Sequence, residues 1–208
     1  MIEATTLQGF QGLQRALEHL RAGGVVAIAT ETFYSLCADA RRGSAVEAAF
    51  ALKGREAPSA AAVLLPDEEA WSTLVREVPP LARKLARRFW PGPLTIALPG
   101  ADDVHALLRY RGYVAARVPG PSPALDLVRA FGGPLTATSA NPSGAPSSRS
   151  GDDVRGYFEG RSGLLVLDGE AVGGMPSTVV EVGGEALRIV RPGAVPASVL
   201  DTVASAAA

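Results

Sequence analysis

The chain has 208 residues, of which 47% are hydrophobic and 20% charged, with 20 basic against 21 acidic side chains and a formal net charge of -1. That composition excludes a disordered chain and a nucleic-acid binder held by bulk positive charge, while leaving room for a local basic groove. One cysteine, Cys37, and two histidines, His19 and His105, exclude an intrachain disulfide and a multi-Cys metal site and nearly exclude a His-rich one.

Phe10, Leu13, Leu17 and Leu20 recur at steps of three and four, which predicts an amphipathic first helix stopped at Gly23-Gly24. The apolar run 25–29 reads as a short strand buried on both faces. Ser44 is expected to cap a helix carrying Val46, Ala49, Phe50 and Leu52 and closed by Gly54. A strand follows at 61–65, and Asp67 caps a helix bearing Trp71, Leu74 and Val75. Pro80 opens the next helix, which Pro91-Gly92-Pro93 ends before a strand at 94–98. Residues 99–112 are polar and read as a loop. Strands at 113–118 and 135–138 flank a helix capped by Ser122 and broken at Gly132-Gly133. A short helix near 152–158 precedes a strand at 164–167. Strands near 178–182 and 186–190 flank Gly183-Gly184, read as a hairpin turn, and a last helix starts near Pro196. Strands alternating with helices predict a mixed sheet covered on both sides, in one α/β domain over residues 1–208 with a frayed tail at 204–208.

No apolar run approaches the roughly 20 residues needed to cross a bilayer, and the first residues lack a basic-then-apolar signal. A cytoplasmic protein without a membrane partner is expected. The familiar nucleotide motifs are absent: Lys53 and Lys84 follow Leu52 and Arg83, so there is no P-loop, and no two glycines are spaced Gly-x-Gly.

Polar residues gather instead at the ends of strands and helices, where open α/β sheets place ligands. Thr30-Glu31-Thr32-Phe33-Tyr34 follows an apolar strand and fits either a small-zwitterion site or a plain polar turn. Lys53-Gly54-Arg55 at a helix end suits a polyphosphate, with lysine as point charge and arginine as bidentate fork, although cations there also offset the helix dipole. Ser139 and Asn141, two apart on an extended segment, point the same way. Arg117 lies among small apolar neighbours and needs an anion or a structural carboxylate. Pro176-Ser177-Thr178 and Arg191-Pro192-Gly193 add hydroxyls and a guanidinium. Trp71, Trp90 and Cys37 read as core.

Taken in order, Thr30-Glu31-Thr32-Phe33-Tyr34, Leu52-Lys53-Gly54-Arg55, Phe89-Trp90-Pro91-Gly92-Pro93-Leu94-Thr95, Ala116-Arg117-Val118-Pro119, Ser139-Ala140-Asn141-Pro142-Ser143-Gly144, Ser177-Thr178-Val179-Val180 and Val190-Arg191-Pro192-Gly193 resemble the YrdC-like family of threonylcarbamoyl-AMP synthases. The resemblance runs over about residues 10–195 and fits the family's short form, without its extra C-terminal domain. It implies a three-layer fold whose twisted mixed sheet, flanked by helices, curves around a positively charged cavity. It also implies a nucleotidyltransferase reaction in which L-threonine, bicarbonate and ATP give threonylcarbamoyl-AMP and pyrophosphate, with Mg²⁺. The product would serve a separate transferase that modifies position 37 of tRNA, and RNA contact is a further implication.

By motif match, Thr32, Arg117, Ser139 and Ser177 or Thr178 would surround the threonine. Lys53 and Arg55 would be the catalytic cations at the phosphates, and Tyr113, Asn141, Arg149 and Arg191 would complete the ATP site. The metal's ligands are not given by the resemblance. Where the family has proline, glycine and histidine, this chain has Ala29, Ser35 and Leu64, and Ser59-Ala60-Ala61 stands where the family has a Lys- or Asn-Pro-Leu step. If position 35 needs a left-handed backbone, its serine is expected to cost about 1–2 kcal/mol. A relative that binds nucleotide or RNA without this chemistry, or makes another carbamoyl-adenylate, also fits these differences.

Overall fold

The computed structural model describes residues 9–54 and 61–205. In chain order these form α1 (Gly9–Arg21), β1 (Val25–Ala29), β2 (Tyr34–Cys37), α2 (Gly43–Leu52), β3 (Ala62–Leu64), α3 (Pro80–Phe89), β4 (Leu94–Pro99), β5 (Arg109–Tyr110), β6 (Tyr113–Arg117), α4 (Pro123–Phe131), β7 (Leu135–Ser139), α5 (Gly151–Tyr157), β8 (Leu164–Val166), β9 (Thr178–Gly183), β10 (Ala186–Arg191) and α6 (Ala197–Ser205). All the strands join one mixed sheet in the order β10-β9-β4-β6-β3-β7-β2-β1-β8, with β5 paired to the start of β6. The parallel pairs are β1–β8, β3–β6 and β4–β9.

The period-two alternation along each strand decides what the two faces meet. On β4, Leu94, Ile96 and Leu98 join the larger core with Leu85 of α3, Leu200 of α6, Leu17 and Leu20 of α1 and Leu127 of α4. On β1, Val26 and Ile28 face that same core, while Val25, Ala27 and Ala29 meet Ala45 and Ala49 of α2 and Val154 and Phe158 of α5. Helices α1, α3, α4 and α6 thus cover one face. On the other, α2 and α5 cover the β8-β1-β2 end, and the cavity described below lies over the face of β3, β4, β6, β9 and β10. The two tryptophans are core as expected: Trp71 and Trp90 pack with ring centroids 4.7 Å apart.

Several boundaries differ from expectation for local reasons. Helix α2 begins at Gly43 and has no side-chain cap, because the Arg42 carbonyl already accepts from Ala45 and Val46 N–H and leaves Ser44 inside the first turn. Asp67 does cap, accepting from Ala70 N–H at 2.9 Å, but the element is a 3-10 helix over Glu69–Thr73. Its Ser72 and Thr73 hydroxyls bond back to the carbonyls of Glu69 and Ala70, which competes with α-helical pairing. The loop expected at 99–112 contains a 3-10 turn over Ala106–Leu108 and the short β5. The C-terminal hairpin turns at residues 184–185 rather than 183–184, since Gly183 pairs with Ala186.

Strand β2 is absent from the sequence reading. All four of its residues are buried, so it carries no polar alternation to reveal it. Its presence settles the question at Ser35, which pairs with Ile28 and Ser139 in the sheet. Arg111 is the only non-glycine with positive φ among the described residues, so Ser35 bears no left-handed strain. Leu64, where the family has histidine, is fully buried in the larger core.

Candidate functional site

The uncovered sheet face carries small side chains. Ala62 pairs with Ala137 and Ala97 with Ala115 across neighbouring strands, and all four line one cavity of about 1150 Å³. Alanine is the physical reason the hollow exists, since larger residues at these inward positions would fill it. Tyr113, Ala115 and Arg117 alternate onto this face along β6, so the cavity extends about 13 Å from Tyr113 at one end to Arg117 at the other.

The Arg117 end concentrates hydrogen-bonding groups. Arg117 is 5% exposed, and its Nη1 lies 3.2 Å from Glu31 Oε1. That contact is poorly angled: both Glu31 oxygens and Arg117 Nε are buried without a hydrogen-bond partner. Burial pushes the pKa of Arg117 down and Glu31 opposes the shift. The guanidinium stays charged. The carboxylate that Arg117 needs is therefore partly supplied from within, yet donors remain for another anion. Thr30 closes the turn before β2 by donating to the Phe33 carbonyl at 2.7 Å and accepting from the N–H groups of Thr32 and Phe33. With Thr30's proton so used, the 3.1 Å hydroxyl contact is donated by Thr32, which lines the cavity.

Ser177 sits at the start of β9, where its Oγ accepts from Thr95 Oγ1 at 2.9 Å and from Arg191 Nη2 at 3.1 Å. Arg191 also donates to the Ser177 carbonyl, which fixes its guanidinium at the cavity wall. Its pKa is lowered, chiefly by burial and then by the like charge of Arg117. Thr178 turns away: its hydroxyl exchanges hydrogen bonds with the backbone of Val195 and is fully buried.

Of the residues singled out in the sequence, Thr32, Tyr113, Arg117, Ser139, Ser177 and Arg191 line the cavity together. Lys53 is buried behind it, donating to Ser139 O at 2.6 Å, Ser139 Oγ at 3.0 Å and Asn141 Oδ1 at 3.5 Å. Asn141 in turn donates to the carbonyls of Pro142 and Ala145. Lys53 and Asn141 thus shape the loop after β7 and lie against the cavity wall through Ser139. Arg149 is exposed and donates to the Val172 carbonyl, outside the lining. Arg55 and Ser59 lie outside the described residues.

The sequence reading missed Thr95, Tyr110, Arg111, Glu181 and Arg188, which also line the cavity. Thr95 stands inside a quoted motif, so its signal was present. The others become visible only through strand pairing, which sets Arg188 against Glu181.

No three His, Cys, Asp or Glu side chains come together among the described residues; Glu181, which lines the cavity, pairs with Arg188, and the buried Glu31 faces Arg117. No helix among them is long and apolar enough to cross a membrane.

A profile of the Sua5/YciO/YrdC family, described as Telomere recombination, matches residues 18–193. The chain is 36% identical over 185 residues to the threonylcarbamoyl-AMP synthase of Pyrococcus abyssi, covering 88% of this chain and 54% of that one. It is 34% identical over 188 residues to the threonylcarbamoyl-AMP synthase of Thiobacillus denitrificans, covering 88% of this chain and 99% of that one. The crystal structure of P. abyssi Sua5 complexed with L-threonine superposes with a TM-score of 0.87 at 34% identity, over 95% of this chain and 59% of that one. The chain thus spans little more than half the length of the Pyrococcus relative and nearly all of the Thiobacillus one. Both the extent of these matches and the shared sheet lead to one conclusion: the chain belongs to the Sua5/YciO/YrdC family.

Proposed function

We propose that the protein is a threonylcarbamoyl-AMP synthase, joining L-threonine, bicarbonate and ATP with release of pyrophosphate. The observation that carries this reading is the convergence of Thr32, Arg117, Ser139, Ser177 and Arg191, drawn from five separate segments, on one cavity whose size suits two ligands side by side. Relatives bearing that activity in their names, and a relative's structure holding L-threonine, support it.

In this reading the unsatisfied donors of Arg117 take the carboxylate of threonine, and Thr32 and Ser177 position its polar groups. The amine adds to bicarbonate with loss of water to give a carbamate. A carbamate oxygen then attacks the α-phosphorus, and the bond to the β,γ-pyrophosphate breaks. No protein nucleophile is required. What the reaction needs is alignment of two mutually repelling anions and neutralisation of the leaving group. Arg191, held on Ser177, and Lys53, buried against Ser139, supply cations for that role, Arg55 is a further candidate cation from its place in the motif, and Asn141, Tyr113 and Arg149 are candidate nucleotide contacts. Magnesium would arrive with the triphosphate, whose oxygens are its principal ligands. The adenylate would be consumed by a transferase acting on tRNA in the cytoplasm.

Purified protein supplied with L-threonine, bicarbonate, Mg²⁺ and ATP should release pyrophosphate only when threonine is present. Release that is indifferent to the amino acid rules the reading out. Omitting bicarbonate should abolish release as completely as omitting threonine.

A further inference from the structure

We propose that the turn joining β5 to β6 is the clamp for the nucleobase, with Arg111 and Tyr110 as its stacking pair. The inference rests on the reading of the cavity as a nucleotide site and extends it to a part of the wall that no family motif covers.

Tyr110 pairs with Tyr113, so the connection is a two-residue hairpin of Arg111 and Gly112. Both have positive φ, 52° and 84°, the pattern of a type I′ turn. Such turns select Asn-Gly or Gly-Gly. Arginine at the first position occupies a region that L side chains enter at a cost, and strain of this kind is retained where it serves a site. The side chain does not offset that cost by holding the fold: Arg111 makes no ion pair or hydrogen bond among the described residues. Its guanidinium lies over the Tyr110 ring, 5.3 Å from the centroid, and both residues line the cavity. Tyr110 is 41% exposed, which leaves part of its surface open where it lines the cavity.

Position assigns the ligand group. The cations fitted to phosphate and carboxylate, Arg117 and Arg191, stand at the opposite end of β6, about 13 Å away. At this end the wall offers Tyr110, Tyr113 and a planar guanidinium already parked on a ring, a surface on which a purine extends the stack. A nucleotide with its phosphates near Arg191 would bring its base here.

The test compares wild type with Arg111→Asn and Tyr110→Leu, using thermal melting without ligand and calorimetric titration with AMP and with inorganic triphosphate. Arg111→Asn should raise the melting temperature by about 2 °C, because asparagine accepts the left-handed turn. It should weaken AMP about tenfold and leave triphosphate within twofold of wild type. Tyr110→Leu should weaken AMP similarly. Unchanged AMP affinity in both variants overturns the clamp. So does a lower melting temperature for Arg111→Asn, which would make the side chain structural, or an equal loss for AMP and triphosphate, which would make it a phosphate contact. If wild type binds neither AMP nor inorganic triphosphate, the nucleotide reading itself fails, and the clamp with it; if wild type binds AMP and the variants bind it equally, only the clamp fails.

Discussion

Replacing Arg117 by methionine separates the structural from the ligand-binding role of the buried pair. Arg117 is 5% exposed, and its side chain and that of Glu31 are 6% and 13% exposed. Losing the guanidinium strands a carboxylate whose oxygens have no hydrogen-bond partner to fall back on. Breaking a buried pair in this way costs about 3–5 kcal/mol, a large share of the about 5–15 kcal/mol that holds a domain together. Removing both charges avoids that penalty. Methionine suits position 31 as well, because it keeps the unbranched stem of Glu31, which runs so close to Gly120 that a Cβ added there would meet Glu31 Cγ at 3.1 Å. Arg117→Met alone should therefore lose about 3 kcal/mol in urea unfolding, and Arg117→Met/Glu31→Met should return to within about 1 kcal/mol of wild type. Neither variant should bind L-threonine in titration calorimetry. A double variant as unstable as the single one would refute the account of the pair, and threonine binding by the double variant would refute the assigned role of Arg117.

Three further outcomes follow from the same structure. Ala115→Leu places a bulky side chain on the cavity floor beside Ala97; it should melt within a few degrees of wild type yet lose threonine-dependent pyrophosphate release, and retained turnover would show that the reaction occurs elsewhere. Ser35→Gly, which restores the family's glycine, should destabilise by about 0.5–1 kcal/mol, since a paired strand position gains nothing from glycine; stabilisation in chemical unfolding would contradict the strand geometry. Burial pushes the Cys37 thiol from its ordinary 9.0 to about 12, with Arg117 opposing the shift, and pushes Tyr34 from 10.0 to about 12. Both folded values lie above the unfolded ones, so this stability is fully present below pH 9 and falls as pH rises from 9 towards 12, by about 1.4 kcal/mol per pH unit for each proton involved. Cys37→Ala should flatten the first part of that decline, and an unchanged slope in alkaline unfolding curves would count against it.

Much of the fold was legible because its elements are punctuated by residues with one physical use. Pro80 opens α3, Ser122 caps α4 through the N–H of Leu125, and Gly132 ends it in the left-handed conformation. Strands β1, β4 and β8 announce themselves as mainly apolar runs. Strand β2 did not, because Tyr34, Leu36 and Cys37 are buried on both faces and its polar member, Ser35, looks like turn material. The pairing of Tyr34 is equally silent in sequence: its hydroxyl donates to the carbonyls of Leu167 and Gly169, more than 130 residues away.

The site was legible as a set of segments but not as a geometry. Ser177 and Thr178 were indistinguishable as letters, and only the strand alternation turns the first into the cavity and the second onto Val195. Arg117 was recognised as needing an anion, and the structure supplies Glu31, from a segment 86 residues earlier. The motif marks Lys53 as a cation but is silent on the hydrogen bonds from its ammonium to Ser139 and Asn141, which tie it to the loop after β7. Arg111 left no trace at all, since an Arg-Gly pair between polar residues is unremarkable until the backbone shows both in the left-handed region.

A crystal structure with L-threonine and a non-hydrolysable ATP analogue bound together tests the central claim most directly. The account predicts both ligands in the one cavity, with the amino-acid carboxylate on Arg117, the phosphates beside Arg191 and the purine at Tyr110. Ligands lodged at separate surfaces, or a threonine carboxylate remote from Arg117, would contradict it.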